Sequence, residues 1–350
     1  MYALAPVIGL NEGTSFMSTY SVYGIGNALL DMEFRLSKEE IVRLGVEKGV
    51  MTLIDSNRQK EIVSLLKRPP SKIACGGSAA NTMIAVAQFG GKCFYSCKVG
   101  DDQQGDHYFK DLVGNGVDTN LSKVRTPGVT GTCYVFVTPD ADRTMNTYLG
   151  ITQEFSIKEL DEQALKNSKW LYIEGYLVAS PSAREAAGFA MKLALENGVK
   201  TSLTFSDPNM VKYFRQGLLE IIGVKGEKVD LLFCNEDEAL AYARTENLEE
   251  AKEQIKQVAR TFVITRGENG SYVFDGTKGF DVSVKKVDAL DTVGAGDMFA
   301  GAFLSVVARG GDYHEAARLA SLAGAEIVTH YGPRLESSCI ASIKNEFERK

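Results

Sequence analysis

Over most of its length the chain alternates short β-rich runs with helical patterns, and this alternation restricts the fold more than any other property of the sequence. Ser21–Gly26, Gly91–Cys97, Trp170–Ile173, Lys200–Phe205, Leu231–Cys234 and Thr261–Thr265 read as strands. Several are apolar throughout, as strands buried on both faces of a parallel sheet are. Between them Ala79–Phe89, Pro181–Asn197, Val211–Ile222, Glu236–Arg244 and Leu248–Arg260 read as helices, with Asn197-Gly198 as a stop signal. Parallel strands need crossovers, usually helical, so the expected class is α/β: a doubly wound, mostly parallel sheet flanked by helices. Gly270–Phe274 and Gly279–Val284, joined by Asp275-Gly276, read as an added hairpin.

Two segments, 33–55 and 130–148, break the alternation; the second holds two strand-like runs around Pro139-Asp140-Ala141-Asp142. On their residues alone they read as extra strands. With 350 residues, 44% hydrophobic and 24% charged, the chain can bury one large core, and a single domain is expected over 21–350. Residues 1–20 are expected to be a disordered extension, with Met17 as a later start. That segment lacks the basic-then-apolar pattern of a signal peptide, and no run approaches eighteen apolar residues, so no membrane partner is expected. A net charge of -6 without a Lys/Arg cluster argues against nucleic acid. Six scattered cysteines without a CxxC pair, and only three histidines, read as free thiols in a reducing cytoplasm rather than a zinc site.

The chemistry concentrates near the C-terminus. Asp291-Thr292-Val293-Gly294-Ala295-Gly296-Asp297 runs directly into the apolar Met298-Phe299-Ala300-Gly301-Ala302-Phe303-Leu304. A helix start exposes unpaired N–H groups and the positive end of the helix dipole, and so attracts anions. Glycines let a phosphate approach the backbone closely. An acid in the first turn can accept the proton of an attacking hydroxyl, so anion cradle plus base make a phosphoryl-transfer arrangement. The bland reading of Asp297 is a helix cap. No GxxxxGK[ST] occurs, so a Walker A loop is excluded.

These residues resemble the C-terminal signature of the ribokinase/PfkB family of carbohydrate and nucleoside kinases. A second block, Gly76-Gly77-Ser78-Ala79-Ala80-Asn81 through Gly90-Gly91 to Gly100-Asp101-Asp102-Gln103-Gln104-Gly105, resembles the N-terminal one. The resemblance implies a ribokinase-like fold in which 33–55 and 130–148 build a small β-sheet lid over the substrate. It implies an ATP- and Mg²⁺-dependent kinase acting on an alcohol group, with Asp297 as base and the N–H groups of Gly294, Ala295 and Gly296 around the phosphoryl. Asp291 and Thr292 lie where related kinases bind a monovalent cation such as K⁺.

Within the family, Gly24-Ile25-Gly26-Asn27-Ala28-Leu29-Leu30-Asp31 and Arg143-Thr144-Met145-Asn146-Thr147-Tyr148 resemble the adenosine-kinase-like subgroup. That implies Asp31 on a ribose diol, with Gly76, Gly77 and Asn81 completing the sugar site, and Arg143 clamping the transferring phosphate. Asn235 and Glu238 match the family's Asn-x-x-Glu and would act on Mg²⁺ largely through water. Thr265-Arg266-Gly267 with Gly270 resembles the nucleotide-binding turn, and Asn209 could reach a phosphate. Met51, Leu53, Phe136 and Tyr148 could pack on a base. Each residue also has a plain structural reading: a turn acid for Asp31, a locally bonded amide for Asn81, capping for Asn235 and Glu238, a surface arginine for Arg143, lid packing for the apolar set.

The expected activity is therefore transfer of the ATP γ-phosphate to a hydroxyl of an adenosine-like nucleoside or a sugar. A sugar or sugar-phosphate kinase, or a non-catalytic ligand-binding regulator on the same fold, stays open. A nicotinamide dehydrogenase is disfavoured because Leu29 stands where the third glycine of its fingerprint would be. Oligomeric state is open between monomer and homodimer.

Overall fold

The computed structural model describes residues 20–49, 51–139, 143–223 and 226–349. The expected N-terminal extension, save Tyr20, and the turn at 140–142 lie outside those residues. The strands are β1 (Tyr20–Ile25), β2 (Leu29–Arg35), β3 (Met51–Leu53), β4 (Lys72–Gly76), β5 (Cys93–Ser96), β6 (Val117–Asp118) and β7 (Gly131–Val137). They continue as β8 (Arg143–Tyr148), β9 (Ser168–Ile173), β10 (Lys200–Thr204), β11 (Val229–Asn235), β12 (Ala259–Thr265), β13 (Ser271–Phe274) and β14 (Gly279–Val282).

Among the described residues these form two sheets. The larger has the order β14-β13-β12-β11-β10-β9-β1-β5-β6, parallel from β12 to β6 and closed at its other edge by the antiparallel hairpin β13–β14. Helices cover both faces, as the alternation demanded. Val22 joins one core with the helices Ser78–Gln88 and Ala295–Val307, while its neighbour Tyr23 joins the other with Pro181–Glu196. Strand alternation thus sends successive residues of one strand into two cores. Where Ser78–Gln88 crosses Ala295–Val307 the backbones nearly touch: a Cβ on Gly301 would collide with Ala85 and the Thr82 carbonyl.

Beyond β1 the chain winds to one side through β5 and β6, then returns and continues outward from β9. The order reverses between β1 and β9. At such a switch point the connections diverge and leave a crevice at the carboxyl ends of the strands, where α/β proteins bind ligands.

The smaller sheet has the order β3-β8-β7-β2-β4. It draws on more of the chain than segments 33–55 and 130–148, since β2 begins at Leu29 and β4 lies at 72–76, while Lys38–Leu44 is a helix. β4 was not legible because its Cys75-Gly76 end merges with the glycine motif. Helices Lys38–Leu44 and Ser56–Leu66 pack on this sheet through Ile41, Leu44 and Ile62 against Phe34, Tyr134 and Phe136. Two other boundaries move. Leu248–Ile255 ends before 260 because Ala259 already pairs with Val229 in the sheet. The helix expected from Val211 starts at Pro208, where Asp207 accepts from the Asn209 N–H at 2.7 Å.

Candidate active site

The crevice brings the two glycine motifs together. Asp297, in the first turn of Ala295–Val307, accepts from Ser78 Oγ at 2.6 Å through Oδ1 and from Asn81 Nδ2 at 3.1 Å through Oδ2. Residues more than two hundred positions apart meet because both helices start at the same end of the sheet. Burial pushes the Asp297 carboxyl up to about 6, while the Ser78 and Asn81 bonds and the charge of Arg334 hold it down. A carboxylate titrating near 6 is ionised at neutral pH yet more basic than an exposed one, which suits a general base.

Beside it, Gly294 caps the helix in a left-handed conformation, φ 77°, against Pro333. The Ala295 N–H donates to the Thr292 carbonyl at 3.2 Å, so it is already spent on the turn. Gly296 differs. Among the described residues no acceptor takes its N–H, and a Cβ there would meet nothing within 4 Å. The open cradle is therefore narrower than expected: among the described residues the Gly296 N–H, rather than that of Ala295, is left without an acceptor. Asp291 braces the loop, accepting from the N–H groups of Val293 at 3.0 Å and Gly332 at 2.9 Å.

Gly77 has φ 99°, and a Cβ there would collide with the Asn27 carbonyl, so only glycine fits this helix start. Asp31 lies within β2 rather than in a turn, with its carboxylate packed over Gly76 on the neighbouring β4. It reaches the same corner from the small sheet. Asn81, expected on a sugar, is buried with both ends taken: its amide donates to Asp297 and its oxygen accepts from Arg334 Nε at 3.0 Å. It links Asp297 to Arg334. Arg143 opens β8 opposite Val137, and its side chain lies outside the described residues.

A second hollow, about 240 Å³, adjoins Gly296 and is lined by Thr265, Gly267, Gly270, Val287, Phe299 and Val328 among others. Arg266 is not part of that lining; its guanidinium pairs with Asp281 at 2.6 Å and its N–H closes the turn on Gly270. Asn209 sits exposed in a helix first turn, away from the lining. Asn235 and Glu238 form a full capping box: Glu238 accepts from the Asn235 backbone and amide, both at 3.0 Å, and Asn235 accepts from the Glu238 N–H. Burial pushes the Glu238 carboxyl up to about 7, with Asp207 and Asp237 adding to it. Asn235 pairs with Thr265 in the sheet, so this acidic corner borders the hollow.

Two supporting residues were not legible. Glu174, at the carboxyl end of β9, accepts from the Asn27 N–H at 3.2 Å, the Asn27 amide at 3.0 Å and the Ala79 N–H at 2.8 Å. It ties β1, β9 and the helix start of the N-terminal motif across the switch point. Its only signal was position, an acid ending the apolar run Trp170–Ile173. Arg334 bonds Asn81, Asp111 Oδ2 at 2.6 Å and the Cys75 carbonyl at 2.6 Å, and no local pattern marked it.

The model of the pfkB family carbohydrate kinases matches residues 51–338. The chain belongs to this family. An adenosine kinase of Sinorhizobium meliloti superposes with a TM-score of 0.83 at 34% identity, over 93% of this chain and 99% of that one. An adenosine kinase of Saccharomyces cerevisiae is 26% identical over 91% of this chain and 98% of its own length. A 5-dehydro-2-deoxygluconokinase of Clostridium perfringens is 28% identical over 79% and 84%. The chain is thus an ATP-dependent sugar or nucleoside kinase with the ribokinase-like fold. Among the described residues, no helix of this kinase is long and apolar enough to cross a membrane.

Proposed function

We propose that the kinase phosphorylates a ribonucleoside on its ribose 5′-hydroxyl, with Asp297 as the base. The supporting observation is the Asp297 carboxylate, held by Ser78 and Asn81 beside the open N–H of Gly296. As the substrate oxygen forms its bond to the γ-phosphorus of ATP, its proton passes to Asp297 and the bond to the ADP oxygen breaks. The Gly296 N–H and the helix start face the charge carried by the transferring group. ATP would lie in the hollow walled by Val287, Phe299 and Val328, with Thr265, Gly267 and Gly270 at its rim. This acidic corner suits a divalent cation, because the buried Glu238 carries a raised carboxyl near the more open Asp207 and Asp237; Mg²⁺ held there through water would neutralise phosphate charge.

For the acceptor, Asp31 beside Gly76 presents a carboxylate that can accept from both hydroxyls of a diol. A cleft of about 660 Å³ separates the small sheet from the loops bearing Leu290 and Tyr331. Both side chains are largely exposed there and offer apolar surface to a base. Phe136 does not, being fully buried under the two helices of the small sheet, and Met51 and Leu53 lie exposed on its edge strand. Similarity to adenosine kinases supports the same reading. The test compares kcat/KM for adenosine, 2′-deoxyadenosine, ribose and fructose. Adenosine is expected to lead, and the deoxy analogue to lose markedly because the Asp31 carboxylate then keeps one of two hydroxyl donors. Preference for ribose or fructose over every nucleoside rejects the nucleoside reading. Asp297→Asn is expected to bind ATP and not turn over; near-normal turnover rejects the base.

A further inference from the structure

We infer that Glu326, His330 and Cys339 form a binding site for a zinc-like divalent metal, separate from the phosphoryl-transfer site. Glu326 lies in the last turn of the helix Tyr313–Ile327, His330 one turn beyond it, and Cys339 at the start of Ser337–Glu348. One imidazole nitrogen, His330 Nε2, faces both partners, with Glu326 Oε1 at 3.1 Å and Cys339 Sγ at 3.8 Å. All three ligand atoms lie within 4.8 Å of one another. Bonds of roughly 2.0–2.3 Å in a tetrahedral zinc site place neighbouring ligands about 3.3–3.6 Å apart, so small side-chain rotations would seat the ion. Carboxylate oxygen, imidazole nitrogen and thiolate sulfur are zinc's usual donors, and a water completes the tetrahedron. A carboxylate and a thiolate also balance the two charges of the ion. Magnesium, which demands oxygen ligands in an octahedron, is a poor occupant.

No familiar spacing announces the site, since three residues separate Glu326 from His330 and eight separate His330 from Cys339. Its place in the fold gives it a role. The ligands bracket the segment carrying Gly332, which donates to Asp291, Pro333, which abuts Gly294, and Arg334, which holds Asn81. A bound metal clamps both ends of the loop that braces the base, without touching the base. None of this depends on which alcohol is phosphorylated.

The test titrates chelator-treated full-length protein with Zn²⁺ alone by calorimetry, and with Co²⁺ while recording the absorption spectrum. One equivalent is expected to bind, to resist millimolar Mg²⁺, and to give a thiolate-to-cobalt charge-transfer band. His330→Ala and Cys339→Ser should each weaken binding on the order of 100-fold, one ligand's share of a zinc site, and Cys339→Ser should abolish the band. Zn²⁺ should slow amide exchange across 328–336 in the parent protein and in neither variant. No saturable binding, binding that survives either substitution, a cobalt spectrum without the thiolate band, or unchanged exchange on binding would each overturn the proposal.

Discussion

Replacing Glu174 with glutamine isolates what a buried carboxylate does at the switch point. Burial raises its carboxyl from 4.5 to about 7, against three N–H bonds that favour the charged form. The folded protein therefore holds this proton more tightly than the unfolded chain does. Its contribution to stability is full below pH 4.5 and fades as the pH rises through 7. With each pH unit worth 1.36 kcal/mol, linkage between those two values makes the protein about 2 kcal/mol less stable at pH 7.5 than at pH 5 on this group's account. Glutamine removes that dependence. It leaves a smaller constant cost, about 1–3 kcal/mol, because its amide cannot accept from the Ala79 N–H. Glu238 shifts the same way and stays in both proteins, so the measurement is a double difference. Urea unfolding at pH 5 and pH 7.5 should show a fall in stability smaller by about 2 kcal/mol in Glu174→Gln than in the parent. Equal falls would refute the argument that Glu174 is buried at the expense of its charge.

The remaining expectations test the site from other sides. Because Asp297 titrates at about 6 and must be ionised to accept a proton, kcat/KM should fall about tenfold per pH unit below 6; a plateau continuing to pH 5 would count against it. Gly296→Ala should fold normally, since a Cβ meets no neighbour, yet lose roughly 100-fold in kcat by holding the phosphoryl off the N–H; undiminished kcat would remove Gly296 from the cradle. Arg334→Ala leaves acceptors on Asn81, Asp111 and Cys75 unpaired and should cost about 2–4 kcal/mol in unfolding experiments along with activity; a change below about 0.5 kcal/mol would place it among ordinary surface residues.

The main sheet was legible because buried parallel strands such as Leu231–Cys234 write continuous apolar runs, and their helices begin and end on strong punctuation such as Pro181 and Asn197-Gly198. The small sheet was less so. Its strands mix polar and apolar residues, β3 has three residues, and β4 ends inside a glycine motif. At the site, Asp297 and the glycines announced themselves because backbone approach to an anion demands a local pattern. The roles of Asn81, Glu174 and Arg334 did not. Those roles rest on contacts between distant segments, and an amide bonded to Asp297 reads in sequence like an amide bonded to a sugar. Asn235 and Glu238 show the converse: one spacing serves a cap and a metal contact alike, and here the capping geometry is complete.

The chain of contacts from Arg334 through Asn81 to Asp297 also sets an order of events during synthesis. Ser78 and Asn81 leave the ribosome long before the acid they will hold, and Arg334 emerges last of the four. Until it does, the amide that bonds Asp297 lacks its own anchor, however well the large sheet has already formed. The candidate site is therefore completed late, through contacts of very long sequence separation, which are the slowest kind to close. A nascent or interrupted chain that stops short of Arg334 would carry both glycine motifs and still lack the anchor on Asn81.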